Sequence, residues 1–253
     1  MTQLNEMLTE LDRLLEPDAF VDHCPNGLQV QGATEVTHLA TGVSASVELF
    51  ERAIAAGAQL IVTHHGLFWE GDDARVVGAL RDRLRVLLAA DVSLASYHLP
   101  LDAHPTIGNN ALIAAGLGLE DRQPFGRYGG REIGVRGRFP DAGITAAELV
   151  ARVAELTARE PLALPGGPPL IRSVGIVSGG GGRSVQEAAS AGLDAFITGE
   201  AEEWASAIAR ELSIHFIAAG HHATETFGVR ALGEHLSTRF GVTHTDIAIV
   251  NPV

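Results

Sequence analysis

TGVSASVELFERAIAAGAQLIVTHHGLFW, residues 41–69, reads as a strand, a helix, a second strand and a pair of histidines. Leu39 to Val43 is apolar, and Ser44-Ala45-Ser46 supplies a turn and a helix N-cap. Val47, Phe50, Ala53 and Ile54 then recur at helical spacing up to Gly57, a helix-ending glycine. Leu60-Ile61-Val62 is a short apolar strand that delivers Thr63-His64-His65 at its carboxyl end. IVSGGGGRSVQEAASAGLDAFITGEAEEW, residues 176–204, repeats the pattern. Val174 to Val177 is followed by a glycine-rich turn, a helix from Arg183 to Ala191 and the strand Ala195-Phe196-Ile197. At one offset Ala53 pairs with Ala188, Gly57 with Gly192, Thr63 with Thr198 and Trp69 with Trp204. Further on, His98-x-x-x-Asp102 is echoed by His221-x-x-x-Glu225. Units of this length form right-handed parallel crossovers, and ligands bind beyond the carboxyl ends of such strands. The expected fold class is therefore α/β, with two similar intertwined strand–helix–strand halves from an internal duplication and a metal cleft between them. The first half is expected over 1–120 and the second over 171–253. A connecting segment with a β-ribbon and a helix falls at 121–170, and the whole forms one family domain.

Composition narrows the chemistry. With 253 residues, 46% of them hydrophobic, the chain can bury a large core. No apolar run approaches the ~20 residues of a membrane span. From Met1 to Phe20, Leu4, Met7, Leu8, Leu11, Leu14 and Leu15 make one apolar face opposite acidic residues. This is the pattern of a surface helix rather than a signal peptide, so a cytoplasmic location is expected, with no membrane partner. Every basic residue is arginine, which removes Schiff-base chemistry and lysine-dependent phosphate loops. The single cysteine, Cys24, excludes an internal disulfide and a thiolate-rich zinc site. A formal charge of −13 argues against nucleic acid as a partner. Five arginines between Arg122 and Arg138 form a local exception, read either as the solvated edge of a β-ribbon or as an anion-binding patch.

Histidines and carboxylates gather at the expected strand ends. Adjacent histidines on a regular strand point to opposite faces. If the strand stops at Val62 and the chain turns at Gly66, His64 and His65 converge on one ion or on two neighbours. Otherwise one is a core histidine and the other is solvated. Pro100 is expected to forbid a regular helix and to leave Asp102 on a fixed loop after the strand Val92 to Ala95. His221 and Glu225 follow the strand Ile214 to Ile217 at a spacing that lets both face one site. Five or six such ligands exceed what one tetrahedral ion uses, so two divalent ions per chain are expected, as zinc, manganese, iron or nickel. Glu200 stands at the position of His65 in the second repeat. It is read as a group that orients a ligand, as a general base, or as the cap of the next helix. Ser178 to Arg183 is either an anion-binding glycine loop or a flexible turn. Phe125 to Phe139 carries short β-like pieces, Ile144 to Ala158 a helix, and Pro161 to Leu170 a loop.

Taken together, several segments resemble the NIF-three-like dinuclear-metal proteins, also called type 2 homologues of GTP cyclohydrolase I. They are Pro25-Asn26-Gly27-Leu28-Gln29-Val30, Thr63 to Trp69, Tyr97 to Pro105 with Gly108-Asn109-Asn110, Ile197 to Glu200, Gly220 to Glu225, and Asn251-Pro252-Val253. The resemblance spans nearly the whole chain. It implies His64, His65, Asp102, His221 and Glu225 as metal ligands, with His98 lining the site. It also implies two intertwined halves with metals in their cleft and a ring-shaped homohexamer. His23-Cys24-Pro25 departs from the acidic or amide residue usual ahead of Asn26. Three function classes follow: a metal-dependent hydrolase of a nucleotide-like or phosphate-bearing small molecule, a metal-buffering or metal-delivery protein, and a regulatory scaffold.

Overall fold

The computed structural model describes residues 2–140 and 142–253, and they form a mixed α/β protein. The chain divides into two compact units, Met1–Leu101 with Gly228–Val250, and Asp102–Phe227 with Asn251–Val253. Residues 102–120 belong to the second unit, and 228–250 return to the first. The return is made by the helix Thr226–Phe240, whose following strand Thr243–Asp246 adds to the first unit's sheet.

In the first unit the strands lie in the order Thr243–Asp246, His38–Ser44, Leu60–His65, Ser93–Ser96 and Gly27–Val30. The first four are parallel and the last is antiparallel. His38–Ser44 and Leu60–His65 are joined by the helix Val47–Ala55. Its first turn is capped where the Ser46 hydroxyl accepts from Leu49 N, 3.2 Å. Leu49, Phe50 and Ala53 of this helix are fully buried against Ala40, Ile61, Leu87 and Leu94. Each such large apolar side chain contributes about 1.5–3 kcal/mol. The amphipathic N-terminal helix runs Leu4–Leu15, with Leu4, Met7, Leu11 and Leu15 inward. It stops where Glu16 turns left-handed ahead of Pro17. Met1, where this helix was expected to begin, lies outside the described residues.

In the second unit the order is Leu162–Leu164, His215–Ala218, Ala195–Thr198, Ser173–Val177, Arg131–Arg138 and Glu120–Tyr128. The Ser173–Val177, Ala195–Thr198 and His215–Ala218 strands are parallel and the outer three are antiparallel. The two repeats thus fold alike, as parallel strands joined by one helix, Val47–Ala55 in the first and Val185–Ser190 in the second.

Three expectations are corrected here. The short β-like pieces of 125–139 are one long ribbon, Glu120–Tyr128 with Arg131–Arg138, which carries all five clustered arginines. The ribbon expected in the connecting segment is thus longer than those pieces, and a Cβ at Gly134 would overlap the Ile176 carbonyl of the neighbouring strand, so glycine permits the pairing. The loop expected over 161–170 contains an edge strand, Leu162–Leu164, flanked by prolines, where the missing N–H groups cost no ladder bond. Leu99–Asp102 is a single helical turn, because Pro100 sits in the first turn, where no backbone donor is required. No helix among the described residues is long and apolar enough to cross a membrane.

Candidate metal centre

The first unit supplies three histidines. His64 and His65 end a strand that runs through both residues rather than stopping at Val62. His64 is fully buried and His65 is half-buried, as alternation demands, but their rings still converge with centroids 4.8 Å apart. His98 follows the next strand, and its ring lies 5.0 Å from that of His64 and 5.6 Å from that of His65. One ring nitrogen from each of the three lies within 4.8 Å of the others. Trp69 stands edge-on to His98 at 5.2 Å.

Hydrogen bonds fix which nitrogen each ring presents. His64 Nδ1 meets the Tyr97 carbonyl oxygen at 3.1 Å. A carbonyl only accepts, so Nδ1 carries the proton and Nε2 the lone pair in the neutral ring. His98 Nδ1 meets Asp22 Oδ1 at 2.7 Å, with the same consequence. His65 Nδ1 pairs with the Ser44 hydroxyl at 3.1 Å. The Asp22 side chain is 3% exposed and also accepts from Leu99 N, Cys24 N and Asn26 Nδ2. Burial alone would raise its pKa, but His98 and the other donors outweigh it and hold the carboxyl at about 2. Asn26 Oδ1 accepts from His98 N at 2.8 Å. The 22–26 loop therefore holds His98 in place, despite the departure at His23-Cys24-Pro25.

The second unit supplies three more groups. Asp102, nearly buried, accepts from Asn109 Nδ2 at 2.8 Å and the Ser178 hydroxyl at 3.1 Å. Asn110 links the same loops by accepting from Ser178 N and donating to the Ile133 carbonyl. His221 Nε2 lies 3.2 Å from Glu225 Oε1, and its Nδ1 lies 2.6 Å from Glu200 Oε1. Burial favours neutral His221, but Glu225 and Glu200 prevail and raise its pKa to about 9. In each unit a post-strand histidine pairs with a carboxylate, His98 with Asp22 and His221 with Glu200.

The glycine loop serves close approach. A Cβ at Gly179, where φ is +60°, would overlap the Glu225 carboxylate, and one at Gly199 would stand 2.6 Å from His221 Cα. Ser178 N and Gly179 N already donate to Asn110 Oδ1 and Thr224 Oγ1. Sequence spacing did not reveal Asp22, because its bond to His98 spans 76 residues. The Asp102 partners Asn109 and Ser178 were legible only as parts of other motifs.

Imidazole and carboxylate donors of the kinds each unit presents suit divalent ions. Comparison with known proteins places the chain in a family. The Duf34/NIF3 (NGG1p interacting factor 3) family model matches residues 2–252. A Pseudomonas aeruginosa protein named GTP cyclohydrolase 1 type 2 homolog is 42% identical over 98% of each chain. A solved structure described as protein ybgI, of unknown function, is 39% identical with a TM-score of 0.94 over the full length of both chains. That of TTHA1606 from Thermus thermophilus is 34% identical, with a TM-score of 0.90 over the full length of both. The chain belongs to the Duf34/NIF3 family.

Proposed function

We propose that this chain binds two divalent metal ions through His64, His65, His98, Asp102, His221 and Glu225, and hydrolyses a phosphate-bearing, nucleotide-like small molecule. The observation that carries the reading is the preparation of the donors. Two imidazoles have Nδ1 committed to acceptors, and the carboxylates of Asp102 and Glu225 are buried and held by hydrogen bonds or beside His221. Ligand orientation of this kind is characteristic of metal sites. When bound, divalent ions supply Lewis-acid activation of water and neutralise charge building up on the bond being hydrolysed.

The chain's own residues do the rest. Asp22 and Glu200 hold the His98 and His221 rings in position. Glu200 keeps a half-exposed side chain, with one oxygen on His221 Nδ1. Its second oxygen is our candidate for accepting a proton from water. The name GTP cyclohydrolase 1 type 2 homolog, borne by the relatives, favours a nucleotide-like substrate. The same reading takes the working form as a ring-shaped cytoplasmic homohexamer, which sedimentation would show as six chains.

A second reading, metal buffering or delivery without turnover, is favoured by the two carboxylates that flank His221, since these serve holding as well as catalysis. Metal-loaded protein incubated with nucleotides and phosphate esters separates the two. The hydrolase reading expects turnover that chelator abolishes and metal restores. Stoichiometric metal exchange with no turnover on any such compound would favour the second.

A further inference from the structure

Arg159 lies just past the helix Ala146–Thr157, where Ala158 turns left-handed and Arg159 N donates to the Ala154 carbonyl at 3.2 Å. Its side chain is laid across Gly220. A Cβ there would overlap Nη1 and stand 2.7 Å from Cδ and 3.0 Å from Cζ. Gly220 also has φ +97°, so glycine is required both by the backbone and by the arginine against it. Gly220 immediately precedes His221 and follows the strand His215–Ala218. The guanidinium therefore sits at the carboxyl end of the parallel strands, beside a proposed metal ligand.

Arg159 Nη1 is buried and has no hydrogen-bond partner among the described residues. His222 Nδ1, in the turn that follows Gly220, is likewise buried without a partner. A guanidinium cannot shed its proton to escape the cost of burial. Native proteins leave very few such donors unpaired, and an unfilled ligand position is one of the physical explanations. Acidic residues are not scarce in a chain with 31 of them against 18 basic ones. A buried arginine donor left without a carboxylate in such a chain points to an external anion. The planar fork of donors matches phosphoryl oxygens in pairs.

We propose that Arg159 is the phosphate anchor of the substrate site, binding a phosphoryl group of a small molecule next to His221. The place of this anchor in a reaction rests on the hydrolase reading, but its binding of phosphate does not. The test titrates inorganic phosphate calorimetrically into the full chain, both stripped of metal and metal-loaded, as wild type, Arg159→Lys and Arg159→Met. The metal-free arm decides, since phosphate in the loaded protein also meets the ions. Wild type is expected to bind phosphate, Arg159→Met to bind at least ~10-fold more weakly, and Arg159→Lys to fall between them. Metal content of the loaded proteins should be equal, and Arg159→Met should melt no lower than wild type, because a buried donor atom without a partner has been removed. Equal phosphate affinity in wild type and Arg159→Met would overturn the proposal. So would a wild type that takes up no phosphate at millimolar concentration, or a fold or metal content lost in both variants. If wild type itself holds no metal yet binds phosphate through Arg159, the anchor stands and the metal reading falls.

Discussion

Asp22→Asn is the most revealing single change at the first unit's histidines. The carboxylate accepts four hydrogen bonds, from His98 Nδ1 at 2.7 Å, Leu99 N at 3.0 Å, Asn26 Nδ2 at 3.0 Å and Cys24 N at 3.1 Å. Oδ1 serves His98 and Cys24, and Oδ2 serves Leu99 and Asn26. An amide turned either way sets an NH2 against two of these donors and removes the charge from all four. Two donors left without acceptors in a buried place cost about 2–5 kcal/mol together, a large part of a typical folding stability of about 5–15 kcal/mol. For a chain of this length that lowers the melting temperature by roughly 5–15 °C. Loss of the Nδ1 partner also frees His98 to change tautomer and rotate. Removing such an orienting group costs ~10–100-fold in metal affinity. Thermal melts of the metal-free protein and metal titrations of the loaded one read the two effects separately. A variant with unchanged melting temperature and unchanged metal affinity would refute the reasoning, since it would show that Asp22 neither holds the loop nor prepares His98.

Three further outcomes follow from the geometry. Glu200→Gln should keep both metals at saturating concentration and lose turnover by ~10²–10⁴, measured by steady-state kinetics; full turnover would leave Glu200 only the task of orienting His221. The folded-state pKa of Asp22, about 2, lies below its ordinary 3.8, so its ionisation stabilises the fold fully above 3.8 and not at all below about 2. Denaturation curves between pH ~5 and ~2 should therefore show wild type losing about 2 kcal/mol more than Asp22→Asn, and parallel losses would show that the shift is absent. Gly179→Ala forces a methyl into the Glu225 carboxylate at a left-handed position and should cost about 1–3 kcal/mol together with metal affinity. Gly192→Ala, left-handed with nothing within 4 Å, is the control and should spare metal binding.

Local pattern carried the fold far. Ser46, the helical spacing of Val47 to Ile54 and Gly57 mark the helix Val47–Ala55 to within two residues of its ends, because capping and periodicity act over a few residues. The apolar starts of the strands Leu60–His65 and Ala195–Thr198 were legible for the same reason, as short apolar runs, but their carboxyl ends were not. Partners far apart in sequence were not legible. No spacing rule connects Asp22 to His98, Ser178 to Asp102, or Arg159 to Gly220, since each pair meets only after the sheets have formed. In 125–139 the expected ribbon is longer than its β-like pieces, and its close approach depends on glycine. In 178–182, read as either an anion loop or a flexible turn, two of the backbone amides bind Asn110 and Thr224. Pro100 misled by its position, because a proline early in a helical turn gives up a hydrogen bond that the turn never makes. The return of 228–250 to the first unit left no local mark, since a helix pattern does not say which sheet it will cover.

Metal content of the purified full chain, measured by elemental mass spectrometry after growth in metal-supplemented medium without chelator, tests the central claim most directly. Two divalent ions per chain are expected in wild type, and Asp102→Ala combined with Glu225→Ala should lose them while keeping the circular dichroism of the folded protein. A metal-free wild type would contradict the account, as would a double variant with occupancy unchanged.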